Sequence, residues 1–410
     1  MKIVYLHQYF KFPNENGGTR SYDLSISFIR HGYKVVVVTA TSDKKHKSSA
    51  RWHIEEKEKI EIHHIYLPYA NHLSSLQRSL VFLKFLWFSS FHLLSINADF
   101  VLATSTPLTI GIPAIIKKWF SKTPYIFEVR DVWPEAVIAI GAIKNKLAQK
   151  ELFRLERMIY KHAAAIVPLS NDMKASIDRR YPEFKFKTSV VISNISEINR
   201  FQQKGLNSNI IEKSIGFAPR FSILYAGTFG RVNGVDYVVK LAKYTLKYDP
   251  QLVYILIGEG AEKENVRLLA GKEGVLNKNL FILESVTKNE LPDWYASASM
   301  GSSFVIDIPE LWANSANKFF DALAASKPIL INHEGWQKKE IQQNNVGFVL
   351  PTKLSDVAVR EFVKYTQNRE LIEKQQVNAI ILAKRKYSLE KAVESYETIF
   401  QKTIANQKQA

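Results

Sequence analysis

The stretch ELWANSANKFFDALAASKPILIN, residues 310–332, predicts a loop, a short helix, a turn and a strand in succession. Asn314 and Ser315 are N-cap candidates, because their short polar side chains accept hydrogen bonds from the first free N–H groups of a helix. The helix is expected to end before Pro328. The apolar run at residues 328–331 is typical of a buried strand.

Two charged residues of this helix, Lys318 and Asp321, stand three positions apart and therefore share one face near its start. Free N–H groups and the helix dipole favour a phosphate at such a position, and Lys318 would add a positive charge. Asp321 could accept hydrogen bonds from the vicinal hydroxyls of a ribose. An ordinary amphipathic helix with a solvated lysine and aspartate fits the pattern equally well.

The composition indicates about two domains with ample material for their cores, since 46% of the 410 residues are hydrophobic. The chain has no cysteine, which excludes disulfides, thiol nucleophiles and cysteine zinc sites. Its net charge of +17 favours polyanions, namely nucleic acid, anionic lipid or a phosphorylated substrate. Neither a signal peptide nor a membrane-spanning run is recognisable, so we expect a cytoplasmic protein, soluble or on a membrane surface.

Short apolar runs alternate with helical patterns in two series, which predicts an α/β fold of two doubly wound, Rossmann-like domains facing across a cleft. The domains are expected at residues 1–200 and 220–385, with a polar linker at 201–219. Ligands bind such sheets at the carboxyl ends of strands. The predicted strands are Lys2–Gln8, Lys34–Thr41, Ile60–Leu67, Phe100–Ala103, Tyr125–Val129, Ala165–Leu169, Val190–Ile192, Phe221–Ala226, Leu252–Ile257, Leu280–Leu283, Ser303–Ile306, Pro328–Ile331 and Gly347–Leu350.

Glycine-containing turns follow three of these strands and would let the backbone approach a phosphate closely. They are Gly17-Gly18, the loop from Gly227 to Gly234 with Arg231 inside it, and the turn at Gly258. None has the spacing of a dinucleotide fingerprint or a P-loop. A plain turn between strand and helix is the alternative for each one alone.

Polar residues also follow the strand at 125–129, where Arg130, Asp131 and Glu135 stand within RDVWPE. Polar side chains at a strand end are typical of a site, and an ion pair capping the sheet is the alternative. The most apolar stretch, residues 73–94, and the basic segment IKKWFSK, residues 116–122, together suit an interfacial helix on anionic lipid. A buried core helix is the equal alternative.

The histidines do not predict a metal site. His63 and His64 are neighbours on a predicted strand and point to opposite faces, and the other histidines are scattered along the chain. No Asp-x-Asp triplet and no nucleophile motif is present, and no nucleic-acid motif accompanies the basic charge. We therefore expect no metal, no cofactor and no nucleic acid partner.

The order of these motifs resembles the family 4 glycosyltransferases of the GT-B fold over essentially the full chain. The resemblance is carried by the Gly17-Gly18 loop, the glycine-rich loop that opens the second domain, and the segment DALAASKP at residues 321–328. RDVWPE and NSANKFFDALAA are similar to the branch that assembles bacterial O-antigen, capsule and exopolysaccharide repeats. That branch includes N-acetylfucosamine-type transferases called WbuB.

This resemblance implies a retaining, metal-independent transfer from a nucleotide-diphosphate sugar to a lipid-diphosphate-linked glycan acceptor. UDP is the first candidate nucleotide, and an N-acetyl amino or deoxy sugar is among the candidate sugars. Asp321 would bind the ribose, Arg231 and Lys318 the diphosphate, and residues 286–291 would flank the base. The C-terminal helix, residues 386–410, would pack back on the N-terminal domain. The expected donor-binding residues are Gly17, Gly18, Gly227, Arg231, Asn233, Gly258, Asn317, Lys318 and Asp321.

The chain also departs from the family pattern. Ala313 stands where the family has the first acid of its E-x7-E motif, and Glu310 is the candidate replacement. Arg130 stands at the position of the family's N-domain histidine, beside Asp131. We assign Asp131, Arg130 and Glu310 to catalysis, with Asp131 orienting the acceptor. No nucleophile is recognisable, so the acceptor is expected to attack on the face from which the phosphate leaves.

Two other functions stay open from the sequence. A GT-B-shaped sugar-nucleotide epimerase would share the donor site, but it needs paired catalytic acids and a histidine in the cleft. A non-catalytic polyanion binder would account for the charge alone. The transferase is expected on the cytoplasmic face of the membrane, where a lipid-linked acceptor lies at an anionic surface.

Overall fold

Each half of the chain is organised around one sheet. The computed structural model describes residues 1–47, 50–68, 75–188, 190–203 and 205–409. The strands within this part of the chain are β1 (Lys2–Leu6), β2 (Lys34–Thr41), β3 (Trp52–Lys57), β4 (Ile60–Tyr66), β5 (Phe100–Thr104), β6 (Tyr125–Val129), β7 (Ala165–Pro168), β8 (Phe221–Ala226), β9 (Leu252–Ile257), β10 (Leu280–Leu283), β11 (Met300–Ser303), β12 (Ile329–Ile331) and β13 (Gly347–Val349). The α-helices are α1 (Arg20–Arg30), α2 (Ser75–Ser95), α3 (Gly111–Ser121), α4 (Glu135–Ala139), α5 (Lys146–His162), α6 (Asn171–Arg180), α7 (Ile198–Phe201), α8 (Ile210–Ile215), α9 (Asp236–Leu246), α10 (Lys263–Lys272), α11 (Leu291–Ser297), α12 (Asn317–Ala324), α13 (Trp336–Asn344), α14 (Asp356–Gln367), α15 (Arg369–Leu382) and α16 (Leu389–Gln409). None of these described helices combines the length and apolarity needed to cross a bilayer.

The first sheet has the strand order β3-β4-β2-β1-β5-β6-β7, and the second has the order β10-β9-β8-β11-β12-β13. Their strand pairs are parallel, apart from the antiparallel edge pair β3–β4. The strand order changes direction at β1 and at β8, and such switch points open a crevice at the carboxyl ends of strands. The predicted class of two doubly wound, Rossmann-like domains is confirmed.

Three details of the strand prediction are wrong. Strand β3 is missed because its sequence, WHIEEK, is polar and partly exposed, as befits an edge strand. Residues 190–192 form no strand, and the Ile192 carbonyl accepts a hydrogen bond from Arg20 at 3.0 Å instead. Strand β11 ends at Ser303, where the prediction begins. Its sequence, MGSS, consists mostly of small residues because α12 packs directly on it, and a Cβ at Gly301 would lie 2.7 Å from that of Ala322.

The last helix returns to the first domain. Helix α15 packs on α12 in the second domain, a π-helical turn at Ala383–Tyr387 follows, and α16 then lies against α1. The Phe400 ring packs against Phe28 and Phe100, with centroids 5.3 and 4.4 Å apart. Residues 201–219, predicted as a polar linker, contain α8, which packs on α11.

A buried charge pair fastens this returning helix to the first sheet. Glu128 at the end of β6 is fully buried and lies 3.0 Å from the Arg20 guanidinium. It also accepts a hydrogen bond from the Tyr396 hydroxyl of α16. Burial by itself would raise the pKa of Glu128, but Arg20 and Arg130 hold it at about 2. The carboxylate is therefore ionised and structural at neutral pH.

Candidate active site

A cavity of about 430 Å³ lies between the two domains, at the carboxyl ends of the central strands. The loop between β1 and α1 forms one wall. The opposite wall comes from the residues that follow β8, β9 and β10 and from the first turn of α12. The lining residues are Asn16, Gly17, Gly18, Ala226, Gly227, Thr228, Ile257, Gly258, Glu259, Ser285, Val286, Thr287, Lys288, Leu291, Asn317, Lys318 and Asp321.

Loops of the two domains join at the mouth of this cavity. The Asn16 side-chain amide donates to the Ser285 hydroxyl at 2.9 Å, and the Asn289 backbone N–H donates to the Pro13 carbonyl at 3.1 Å. Further along the interface, the Ser170 hydroxyl donates to the Ala313 carbonyl at 2.6 Å. Residues from both domains are thereby held around one cavity.

Helix α12 begins at Asn317, so the prediction of Asn314 and Ser315 as N-caps is wrong. Their polar groups are used elsewhere: the Asn314 side chain donates to the Leu311 carbonyl at 2.9 Å, and Ser315 is hydrogen bonded to Asn194 of the first domain. The N-cap position falls on Ala316, which makes no side-chain capping bond. Asn317, Lys318 and Asp321 of this helix line the cavity.

Lys318 places a positive charge in the cavity. Its ammonium lies 5.0 Å from the centre of the Tyr225 ring and directly over Gly227, where a Cβ would come within 2.9 Å of Nζ. Burial lowers the pKa of Lys318 to about 8, although Asp321 acts in the opposite direction. A glycine at position 227 is thus required for the lysine to lie where it does.

Asp321 is held by a residue that the sequence patterns did not single out. The Lys288 ammonium lies 2.5 Å from Asp321 Oδ1, and the two side chains are only 8% and 7% exposed. Lys288 also lies over the Phe201 ring, 5.2 Å from its centre. Lys288 follows the carboxyl end of β10, where ligands bind in such sheets, and this position could have identified it from the sequence. Asp321 enters the cavity as half of an ion pair.

Comparison with known proteins matches both halves of this two-domain chain to glycosyltransferase families. Residues 17–194 match the glycosyl transferase 4-like domain, and residues 208–381 match the glycosyl transferases group 1 domain. The chain belongs to the glycosyltransferases. Over 193 residues it is 24% identical to an uncharacterized glycosyltransferase of Methanocaldococcus jannaschii, which is 47% of this chain and 45% of that one. The chain spans about half the length of the curated relatives it matches.

Solved structures support the same fold over the whole chain. Sucrose-phosphate synthase of Thermosynechococcus elongatus superposes with a TM-score of 0.76 at 13% identity, covering 99% of both chains. HepE of Anabaena, solved in complex with UDP and glucose, superposes with a TM-score of 0.69 at 15% identity, covering 98% of this chain and 99% of that one. The cavity of this glycosyltransferase therefore lies in the cleft between the two GT-B domains.

A group from the first domain of the glycosyltransferase reaches the cleft beside Gly18. A Cβ at Gly18 would come within 2.6 Å of the Asn317 amide and 3.9 Å of an Arg130 guanidinium nitrogen. Arg130 in turn lies 3.4 Å from Nε2 of His7. Burial and Arg130 lower the pKa of His7 to about 3, so its ring is neutral. His7 directly follows β1. Because polar residues at strand ends are candidates for a site, this position could have identified His7 from the sequence.

The remaining predicted site residues of the glycosyltransferase are not among the residues that line the cavity. Arg231 is exposed on the 3-10 turn Arg231–Asn233, and neither of these two residues lines the cavity. Glu310 is exposed on the turn Pro309–Leu311, which contacts α4. Asp131 is half-buried and accepts a hydrogen bond from the Thr106 hydroxyl at 2.7 Å.

The two acidic residues of the segment RDVWPE, Asp131 and Glu135, have different partners. Glu135 pairs with Arg180 at 2.5 Å and accepts a hydrogen bond from the Ser176 hydroxyl at 2.7 Å. Arg180 also pairs with the buried Glu156 at 2.8 Å. The ion-pair alternative therefore holds for Glu135, whereas Asp131 accepts a hydrogen bond from Thr106.

Proposed function

We propose that this protein transfers a sugar from a nucleotide-diphosphate sugar to a hydroxyl group of a lipid-linked glycan acceptor, with retention at the anomeric carbon. The observation that carries the proposal is Lys318, a half-buried cation over Gly227 at the start of α12 that lines the interdomain cavity. Asp321 lies one turn later, where it can accept hydrogen bonds from ribose hydroxyls. UDP is placed first because HepE, a protein of similar fold, was solved with UDP and glucose.

The charges of the cavity suit the reaction. Breaking the bond between the anomeric carbon and the phosphate oxygen leaves negative charge on the diphosphate. Lys318 and the start of α12 would stabilise that charge, which is the contribution a metal ion makes in other transferases. The acceptor oxygen bonds to the anomeric carbon, its proton passes to the departing phosphate oxygen, and a nucleoside diphosphate is released. Asp131, with Arg130 beside it, would orient the acceptor from the first domain.

The test is a calorimetric titration with UDP, GDP and ADP, followed by incubation with a panel of their sugars and a lipid-diphosphate acceptor. We expect UDP to bind most tightly and Asp321→Asn to weaken it by about tenfold, the cost of one hydrogen bond to a charged group. Formation of a glycoside with the donor's anomeric configuration supports the proposal. Conversion of the donor sugar without an acceptor would support the epimerase. Binding of none of the three nucleotides would refute both.

An exposed apolar face on the first domain supports a membrane-borne acceptor in surface polysaccharide synthesis. Helix α2 exposes Leu83, Trp87 and Phe91 along one side, and the neighbouring α3 exposes Trp119 and Phe120. Their exposures of 56–75% are high for such large apolar side chains. This favours the interfacial alternative for the apolar stretch, whose residues 73 and 74 lie outside the described part of the chain.

The basic segment after this face is only partly available to a membrane. Lys117 is buried and donates to the Ile96 carbonyl at 2.8 Å, and Lys118 donates to the His162 carbonyl at 2.6 Å. Burial lowers the pKa of both lysines. Lys84 on α2 is exposed and remains a candidate for contact with anionic lipid.

We expect the Trp87→Ser/Phe91→Ser variant to bind liposomes of phosphatidylcholine and phosphatidylserine at least about tenfold more weakly than the wild type, since each aromatic ring buried in the interface contributes about 1.5–3 kcal/mol. Co-sedimentation measures the bound fraction. The matched control is Leu268→Ser/Val377→Ser, which removes two exposed apolar side chains from the second domain. Equal binding by both variants would assign the apolar face of α2 to another role.

A further inference from the structure

Five of the ten histidines gather at the edge pair β3–β4 of the first domain. The expectation of scattered histidines is therefore wrong for this group, because folding joins a turn, two strands and α2. His63 lies against His92 of α2, with 2.7 Å between their facing nitrogens. His64 points to the opposite face of the sheet, where His46, His53 and Glu55 surround it.

The strand register explains the second group. His53 stands directly opposite His64 in the antiparallel pair, and Glu55 is two residues further along β3, so all three side chains share one face. Glu55 Oε1 lies 2.9 Å from His64 Nε2 and 3.5 Å from His46 Nε2. His53 Nε2 is 4.0 Å from the other oxygen of Glu55. One carboxylate is thus surrounded by three imidazole nitrogens.

His46 joins this group from the 3-10 turn Lys44–His46. Its ring stacks on that of His64, with centroids 4.2 Å apart and planes within 2° of parallel. Its other nitrogen, Nδ1, lies 3.4 Å from the Thr41 hydroxyl oxygen. A hydrogen bond at Nδ1 fixes the tautomer of a metal-binding histidine and turns the Nε2 lone pair toward the metal. Nε2 of His46 lies 3.5 Å from a carboxylate oxygen of Glu55, a pair of atoms that a cation between them would stabilise.

We propose that His46, Glu55 and His64 bind a divalent transition-metal ion of the zinc type, with His53 as the fourth ligand. The ligand atoms of the first three lie within 4.8 Å of one another without an ion. Three imidazole nitrogens and one carboxylate oxygen form a set suited to tetrahedral Zn²⁺. Ca²⁺ and Mg²⁺ prefer oxygen ligands, so they fit this site poorly.

The site lies apart from the sugar-transfer chemistry. Strands β4 and β2 separate β3 from β1, whose following loop lines the donor cavity. A bound metal would tie the Lys44–His46 turn to the polar edge strand, which has one ladder partner only. Its effect is therefore expected on the stability of this edge and not on the transfer step.

The test is a zinc titration of the metal-free full chain by calorimetry, with cobalt substitution to record the visible spectrum of a tetrahedral site. We expect one equivalent to bind, a higher Tm on binding, and reversal by a chelator. His46→Gln and His64→Gln should each weaken zinc binding by more than about tenfold, as loss of a ligand requires. His31→Gln is the matched control, because His31 pairs with Glu397 of α16 at 3.1 Å and is not a member of the proposed ligand set.

Two outcomes would overturn the proposal. The first is unchanged zinc affinity in His46→Gln and His64→Gln. The second is loss of binding in His63→Gln, which would assign the ion to the pair on the opposite face. Because His64 lies within the sheet, circular dichroism checks the fold of each variant. His46→Gln and Glu55→Gln carry the test if His64→Gln does not fold.

Discussion

Replacement of Lys318 by methionine is expected to lower kcat/KM for the nucleotide sugar by a factor of about 10²–10³, the usual effect of removing one group that stabilises a developing oxyanion. Methionine keeps much of the length and apolar body of the lysine, so it should fill the space over Gly227. Only the charge facing the diphosphate is lost. Steady-state kinetics and titration with UDP separate the effect on turnover from the effect on binding.

The same residue predicts a pH dependence. The pKa of Lys318 is about 8 in the free protein because of burial, and a bound diphosphate would raise it. Nucleotide affinity should therefore fall as the pH rises above 8, by a factor approaching ten for each pH unit. The Lys318→Met variant should lack this decline. An identical decline in the variant would show that another group is responsible.

Lys327 provides a matched control for this prediction. Burial also lowers its pKa to about 8, but its ammonium donates to the Ala296 carbonyl at 3.2 Å and does not line the cavity. Lys327→Met should leave nucleotide binding and its pH profile unchanged. Lys318→Met should be at least as stable as the wild type, since it removes a charge that burial disfavours. Wild-type kcat/KM in Lys318→Met would refute the assigned role.

The buried parts of the fold were predictable because each central strand is covered on both faces. Strand β2, KVVVVTAT, and strand β9, LVYILI, are continuous apolar runs, and their predicted bounds match the structure. Strand β3 at the sheet edge and β11 under α12 lack that signal. Exposure at the sheet edge favours polar residues in β3, and close packing of α12 favours small residues in β11. An analysis based on apolar runs therefore does not detect either strand.

The site was predictable where its geometry is local. Lys318 and Asp321 share a helix face by their spacing alone, and both line the cavity. Lys288 stands 33 positions from its partner Asp321, and Arg130 stands 123 positions from His7, so these pairs exist only once the chain has folded. Arg231 shows the converse, since it lies in a glycine-containing loop after a strand but does not line the cavity.

The second large effect is expected from Arg20, whose guanidinium is the buried partner of Glu128. Arg20→Met should lower the free energy of unfolding by about 3–5 kcal/mol, because it leaves a buried carboxylate without its main compensating charge. Urea denaturation measures the change. The control is Arg369→Met, which breaks an exposed pair with Glu373 and should leave the free energy of unfolding nearly unchanged. A similar loss in both variants would contradict the structural role of the buried pair.

The pH dependence of stability separates this charge effect from lost packing. In the wild type the pKa of Glu128 is about 2, below its unfolded value of about 4.3, so its contribution is present above pH 4.3 and lost as the pH falls toward 2. Without Arg20, burial raises the pKa of Glu128, and the stability difference between variant and wild type should shrink as the pH falls.

Adding Glu128→Gln to Arg20→Met should recover part of the lost free energy, since a neutral amide costs less to bury than an unpaired carboxylate. Hydrogen exchange of α16 should quicken in Arg20→Met, because Tyr396 donates to the same carboxylate. If the double variant is less stable than Arg20→Met alone, packing rather than charge holds α16 on the first domain.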